Sequence, residues 1–198
     1  MKKVILIKKD KINNFYKKIY FYRFLKLFKV NFLVKYNEKI YTEKLNNIPI
    51  ELEKPINCIK ILNCNNKRDK LNLIYDYSCD YLDNEFVKKN LCEFRNNMCG
   101  CNRVKNKSLQ VSSCCESLKS RTICKHFNKK EKHCNIRSIS CKLFVCPYLK
   151  KKGINYSVNK IVYIKYFLSL RQKCICLTSH FQDKDEVVSK MMKIYKWY

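Results

Sequence analysis

The chain has 198 residues, of which 46% are apolar, and a formal net charge of +27. That length suits one ordinary domain or a small domain with an appendage, and the apolar share excludes a disordered composition. Its two glycines, Gly100 and Gly153, exclude a Gly-rich phosphate loop: they are too few for GxGxxG and too far apart for GxxxxGK.

The charge has two readings. Clustered cations raise local affinity for phosphates and acidic surfaces, so a nucleic acid or an acidic protein surface is the partner class it implies. Against this, lysine greatly outnumbers arginine, and Lys, Asn, Ile and Tyr are abundant together, as an A/T-rich coding sequence would give. Direct base readout favours arginine, which is scarce here. No small-molecule substrate is identifiable.

Residues 1–55 form a basic, aromatic-rich segment without cysteine. The start, MKKVILIKKDK, has a basic lead, but its apolar run VILI is shorter than the roughly 7–15 residues of a secretory core. No apolar run approaches the roughly 18 residues of a membrane span. A cytoplasmic protein without a transmembrane segment is the expectation. FYKKIYFYRFLKLFKVNFLVKY reads as a helix, but Lys17, Lys18, Arg23, Lys26 and Lys29 fall on no one face, whereas an interfacial membrane helix wants a sharper division. Pro49 and Pro55 bracket IELEK and suggest a linker or strand edge.

Residues 56–150 carry twelve of the fourteen cysteines. Their first part looks helical. Leu71, Ile74, Ser78, Leu82 and Phe86 follow a 3–4 spacing, with Ser78 the one polar member of the stripe. Asp76, Asp80, Asp83 and Glu85 lie off that stripe and read as a solvated helix face rather than as ligands or acid–base groups.

The cysteines include no C-x-x-C, the knuckle of standard zinc ribbons and thioredoxin-like sites. Instead there is a C-x-C at Cys99 and Cys101 and a vicinal pair at Cys114 and Cys115. Gaps of eight, nine, six and four residues then lead through Cys124, Cys134 and Cys141 to Cys146. Disulfides, a metal site and apolar packing are all open to these thiols. Cytoplasmic thiols stay reduced, which favours metal. Two thiolates on one zinc lie at most roughly 4.6 Å apart. On a straight helix Cys134 and Cys141 would lie about 10 Å apart, and Cys141 and Cys146 would point about 140° apart. A shared site therefore needs the chain to bend, and Pro147 disfavours helix at Cys146.

The run CNIRSISCKLFVC is similar to the cysteine cluster of the YkgJ-type family of zinc- or iron-chelating proteins. On that resemblance Cys99, Cys101, Cys114 and Cys115 are the early group. Cys124, then Cys134 with Ile136, Cys141 with Lys142 and Phe144, and Cys146 are the later one. The match covers roughly residues 92–150. The family usually has Arg-Pro where this chain has Arg137-Ser138, and a wider interval there. The resemblance implies a thiolate-bound centre, an iron–sulfur cluster or zinc, held by those eight cysteines. His126 and His133 leave Cys₃His zinc open. Cys58, Cys64, Cys79, Cys174 and Cys176 read as small buried apolar residues.

Residues 151–198 form a C-terminal apolar and helical segment packing on the cysteine region. SVNKIVYIKYFLSLRQK fits strand or helix. DKDEVVSKMMKIYKWY reads as a helix started by Asp183 or Asp185, with Val187, Met191, Ile194 and Tyr195 on one face. The fold expected is mainly α with irregular loops: a small cysteine-rich, metal-organised domain with helical flanks. Its expected function is metal binding, with no assigned reaction. The alternative is a basic nucleic-acid-binding module: between Gly100 and Gly153 fourteen Lys/Arg face two acids, with Phe127, Phe144 and Tyr148 among them for base stacking. A secreted, disulfide-stapled protein fits the even cysteine count but not the short leader.

Overall fold

The computed structural model describes residues 2–8, 11–41, 48–93, 95, 100–103, 126–128, 130–131 and 133–194. The chain divides into two units, Met1–Ile74 and Tyr75–Tyr198.

Alternation decides the first unit. Phe32, Val34 and Tyr36 are buried while their neighbours are not, the period of two that marks a strand with one covered face. This strand, β2 (Asn31–Tyr36), lies parallel to β1 (Lys2–Leu6), with Ile5 opposite Val34. β3 (Lys39–Tyr41) pairs antiparallel on the other side, giving the order β1-β2-β3. Two helices, α1 (Ile12–Lys17) and α2 (Ile19–Lys26), make the crossover that a parallel pair requires. The helix expected over residues 15–36 therefore ends at Lys26. Lys29 takes φ 55°, a left-handed conformation that stops a helix, and the chain re-enters as β2.

The Pro49–Pro55 stretch is helical, not a linker or strand edge. α3 (Ile50–Asn63) begins after Pro49 and carries Pro55 within it. Leu52, Ile56 and Ile59 supply a buried 3–4 spacing, and Glu51 and Glu53 suit the positive end of the helix dipole. At its far end the Asn63 amide takes both backbone groups of Phe32: the Phe32 N–H donates to Oδ1 at 2.9 Å and Nδ2 donates to the Phe32 carbonyl at 3.0 Å. It completes the part of β2 beyond the register of β3.

α4 (Lys67–Lys88) starts where Asn66 Oδ1 accepts from the N–H groups of Arg68 and Asp69. Its stripe is as the spacing predicts: Leu71, Ile74, Ser78 and Leu82 are buried and Phe86 is half-buried. The division between the units falls inside this helix.

The second unit is built from short elements. In chain order they are α5 (Gly100–Arg103), β4 (Phe127–Asn128), β5 (His133–Cys134), α6 (Ile139–Lys142), α7 (Pro147–Lys151), a 3₁₀ turn (Val158–Lys160), α8 (Val162–Phe167), α9 (Leu170–Thr178) and α10 (Lys184–Met192). β4 and β5 form a small antiparallel hairpin. The strand-or-helix segment resolves into α8 and α9. Ser169 starts α9 with a capping box: its side chain accepts from the Gln172 N–H, and Gln172 Oε1 accepts from the Ser169 N–H at 3.1 Å. Asp183 caps α10, accepting from the Glu186 N–H at 2.9 Å. Val187, Val188 and Met191 bury the inner face of α10. The described residues are mainly helical, as expected, with a three-stranded sheet that the sequence reading does not contain.

Candidate functional site

Between Cys134 and Cys146 the chain bends, as a shared site requires. Cys134 lies on β5 opposite Phe127, Cys141 sits in the single turn of α6, and Cys146 precedes α7 in an extended conformation with φ −65° and ψ 158°. Pro147 occupies the first helical position, where its missing N–H costs nothing.

That bend delivers Cys146 to an apolar cluster. Cys101, Val145, Cys146 and Leu149 are buried together, and Cys92, Phe127 and Tyr148 pack against them. Cys92 is held there by its backbone, whose carbonyl accepts from the Gly100 N–H at 2.7 Å. Gly100 is needed for a steric reason: a Cβ there would stand 2.7 Å from Tyr148 Cε1. The Tyr148 hydroxyl donates to Glu93 Oε2 at 2.6 Å, and Lys152 pairs with the other oxygen of the same carboxylate. Thiols from three separate stretches, Cys92, Cys101 and Cys146, thus meet one cluster, and Phe127 in that cluster is the strand partner of Cys134.

Of the eight predicted ligands, Cys101 and Cys146 are brought together here. Cys141 has a different neighbour, its Sγ accepting from the Phe181 N–H at 3.4 Å. Cys99, Cys114, Cys115 and Cys124 lie outside the described residues. Among the described residues no three His, Cys, Asp or Glu side chains converge as a metal site. Those thiols alone therefore do not fit a closed tetrahedral or cluster site. Cys92 was not among the predicted ligands; its place seven residues before Cys99 was the available clue.

The cysteines expected to be buried divide in two. Cys58, Cys79 and Cys176 are buried, whereas Cys64 is half-buried and Cys174 exposed. Cys174 and Cys176 are two positions apart on α9, roughly 200° around the helix, so they face opposite ways. Burial pushes the Cys79 and Cys176 thiols from 9.0 to about 12, and raises Cys58 as well. Such thiols stay protonated and unreactive.

The acids of α4 keep a solvated face, with Asp80 exposed and Asp76 and Asp83 half-buried, but they also carry ion pairs. Arg137 Nη2 donates to Asp76 Oδ1 at 2.8 Å and Nη1 to Asp80 Oδ1 at 2.5 Å. Lys184 joins Asp76 at 3.1 Å, and Lys142 joins Asp83 at 2.5 Å. Glu85 pairs with Lys89 and accepts from the Tyr156 hydroxyl. Burial works against the Arg137 charge, yet the hydrogen bonds to Asp80 and Asp76 outweigh it and raise its pKa. Lys142 is the most enclosed of these cations, its side chain 3% exposed, and its Nζ also donates to the Cys134 carbonyl at 2.9 Å. The ion pairs thus tie the Cys134–Cys146 segment onto α4. A basic residue three positions past Cys134 and one past Cys141 was visible in the sequence; its acidic partners 57 to 61 positions away were not.

Of the three aromatics considered for base stacking, Phe127 and Tyr148 belong to the cysteine-containing cluster, and Phe144 is exposed. No described helix is long and apolar enough to cross a membrane. In comparisons with known proteins, no family model, curated protein or solved structure matches the chain.

Proposed function

We propose that the second unit binds a thiolate-ligated metal, zinc or an iron–sulfur cluster, and that this centre fixes the loop-rich part of the fold. One observation carries the reading. Cys92, Cys101 and Cys146 come from separate stretches yet share a single cluster whose member Phe127 pairs with Cys134. Cys101 and Cys146 would be ligands from the described residues, and Cys99, Cys114, Cys115 and Cys124 would supply the rest. Such a centre supplies folding free energy or an electron-transfer site, and soft thiolates suit both metals. The protein's own part is legible: Gly100 lets Tyr148 close over the cluster, while Arg137 and Lys142 anchor the segment that carries the thiols.

Anaerobic purification followed by iron, sulfide and zinc analysis tests this. Bound metal close to stoichiometric, lost in the C101S/C146S double variant and kept in C176S, is the expected result. Near-zero content of all three elements in the parent protein ends the proposal.

A further inference from the structure

α2 carries two apolar stripes. On the inner one Ile19 and Tyr22 are buried, and the Tyr22 ring lies 5.5 Å from that of Phe32. On the outer one Tyr20, Phe21, Phe24, Leu27 and Phe28 are all exposed, from 52% to 64%. Tyr20, Phe21 and Phe24 lie on α2 itself, and Leu27 and Phe28 continue the patch in the turn after Lys26, where the Phe28 ring packs on that of Phe24. The inner stripe holds the helix on its unit. The outer stripe stays more than half exposed even where Phe21 meets the Tyr22 ring, and contiguous exposed apolar residues of this kind mark interaction sites.

The charge around the stripe has one sign. No Asp or Glu occurs from Lys11 to Asn37, whereas Lys17, Lys18, Arg23 and Lys29 lie beside the aromatic residues in sequence. Lys3 Nζ stands 5.6 Å from the centre of the Phe21 ring, and the Arg23 guanidinium 5.9 Å from that of Tyr20. On a single straight helix these cations would break up the apolar face. Here the chain turns at Lys18 and again at residues 27–29, so a short amphipathic element is left.

We infer that this face of the first unit docks on an anionic membrane surface. Phe24, Leu27 and Phe28 enter the boundary between headgroups and acyl chains, and the flanking cations meet the anionic headgroups. Anionic headgroups complement this run of sequence, which is basic and without acids from Lys11 to Asn37. Single-stranded nucleic acid is the less suitable anion. Stacking needs ring faces presented singly to bases, but Phe24 and Phe28 pack edge to face at 5.6 Å, and Leu27 between them has no ring. The inference is independent of the metal centre, since it uses only residues of the first unit.

The test is cosedimentation of the full chain with vesicles of phosphatidylcholine alone or mixed with phosphatidylserine. Binding to the mixed vesicles, weakening as salt is raised, is the expected result. F24S/F28S removes exposed rings only; it should lower the bound fraction roughly tenfold with an unchanged circular dichroism spectrum and unfolding midpoint. K17E/K18E should abolish the preference for phosphatidylserine, and it serves if the first variant misfolds. Absence of parent binding to the mixed vesicles overturns the inference, as does undiminished binding by F24S/F28S or by K17E/K18E. A parent that leaves vesicles alone but holds single-stranded oligonucleotides through Phe24 and Phe28 overturns it in favour of nucleic acid.

Discussion

Arg137 spans one turn of α4, bonding Asp76 with one end of its guanidinium and Asp80 with the other. The fork geometry is what a lysine lacks. All three side chains are a third or more exposed, so solvent screens them. Arg137→Met should cost about 1 kcal/mol, and the cost should shrink in high salt. Arg137→Lys should recover less than half of it. Urea unfolding at low and high ionic strength measures both.

Lys142 and Asp83 should be unequal partners. Asp83→Ala leaves an enclosed ammonium with the Cys134 carbonyl and no counter-charge, at a cost of about 3 kcal/mol. Lys142→Met removes the charge at similar volume and should cost about 1 kcal/mol or less. Equal losses in denaturant unfolding would show that the ammonium is stabilised by water rather than by Asp83.

Alkaline pH should destabilise the fold. Burial raises Tyr75, Cys79 and Cys176 above their ordinary values, the two thiols to about 12. A group with a raised folded pKa contributes its full stability below the unfolded pKa, and loses it as pH climbs toward the folded one. The loss should therefore begin near pH 9, where unfolded thiols ionise, and deepen past pH 10 as unfolded tyrosine does. Thermal unfolding across that range follows it, and Cys176→Ala should flatten the decline.

Gly100→Ala should disturb the cysteine-containing cluster. The new methyl meets the Tyr148 ring, which must move off its hydrogen bond to Glu93. A loss of about 2 kcal/mol is expected, from overpacking and the broken bond together. Gly153 also has a structural reason, φ +75°, but open space around it. Gly153→Ala should thus cost only backbone strain, about 1 kcal/mol. Unfolding midpoints of the two variants give the comparison.

Thiol labelling should separate Cys174 from its helix neighbour. Exposed Cys174 should react quickly with iodoacetamide, whereas Cys58, Cys79 and Cys176 should label only after unfolding. Peptide mass spectrometry reads this, and Cys174→Ser should remove the fast site. Rapid labelling of Cys176 in the folded protein would contradict its burial.

Legibility followed sequence distance. The α4 stripe and the Asp183 cap were readable because helix periodicity and capping lie within a few residues. The bend at Cys146 was readable from Pro147 alone. The parallel sheet was not. VILI is too short to declare itself a strand, and its partner begins 24 residues beyond it in a stretch rich enough in Leu and Phe to imitate a helix. The Pro49–Pro55 helix was hidden by two prolines that punctuate in most contexts, here overruled by the packing of Leu52, Ile56 and Ile59. At the candidate site Cys101 and Cys146 were named from spacing and resemblance. Cys92 and the acids that fasten Arg137 and Lys142 were missed, because each depends on a contact across the fold.

α4 also limits how this gene can be dissected. A fragment stopped after Ile74 would end mid-helix, leaving the last four carbonyls of one stump and the first four amides of the other without partners. It would also sever Leu71 and Ile74 from Ser78 and Leu82, the lower half of the same ridge. Expression trials of either half would then report on a broken rod rather than on an autonomous module. The non-helical residues 64–66 are the sounder place to begin a truncated clone, since Asn66 already supplies the oxygen that opens the helix.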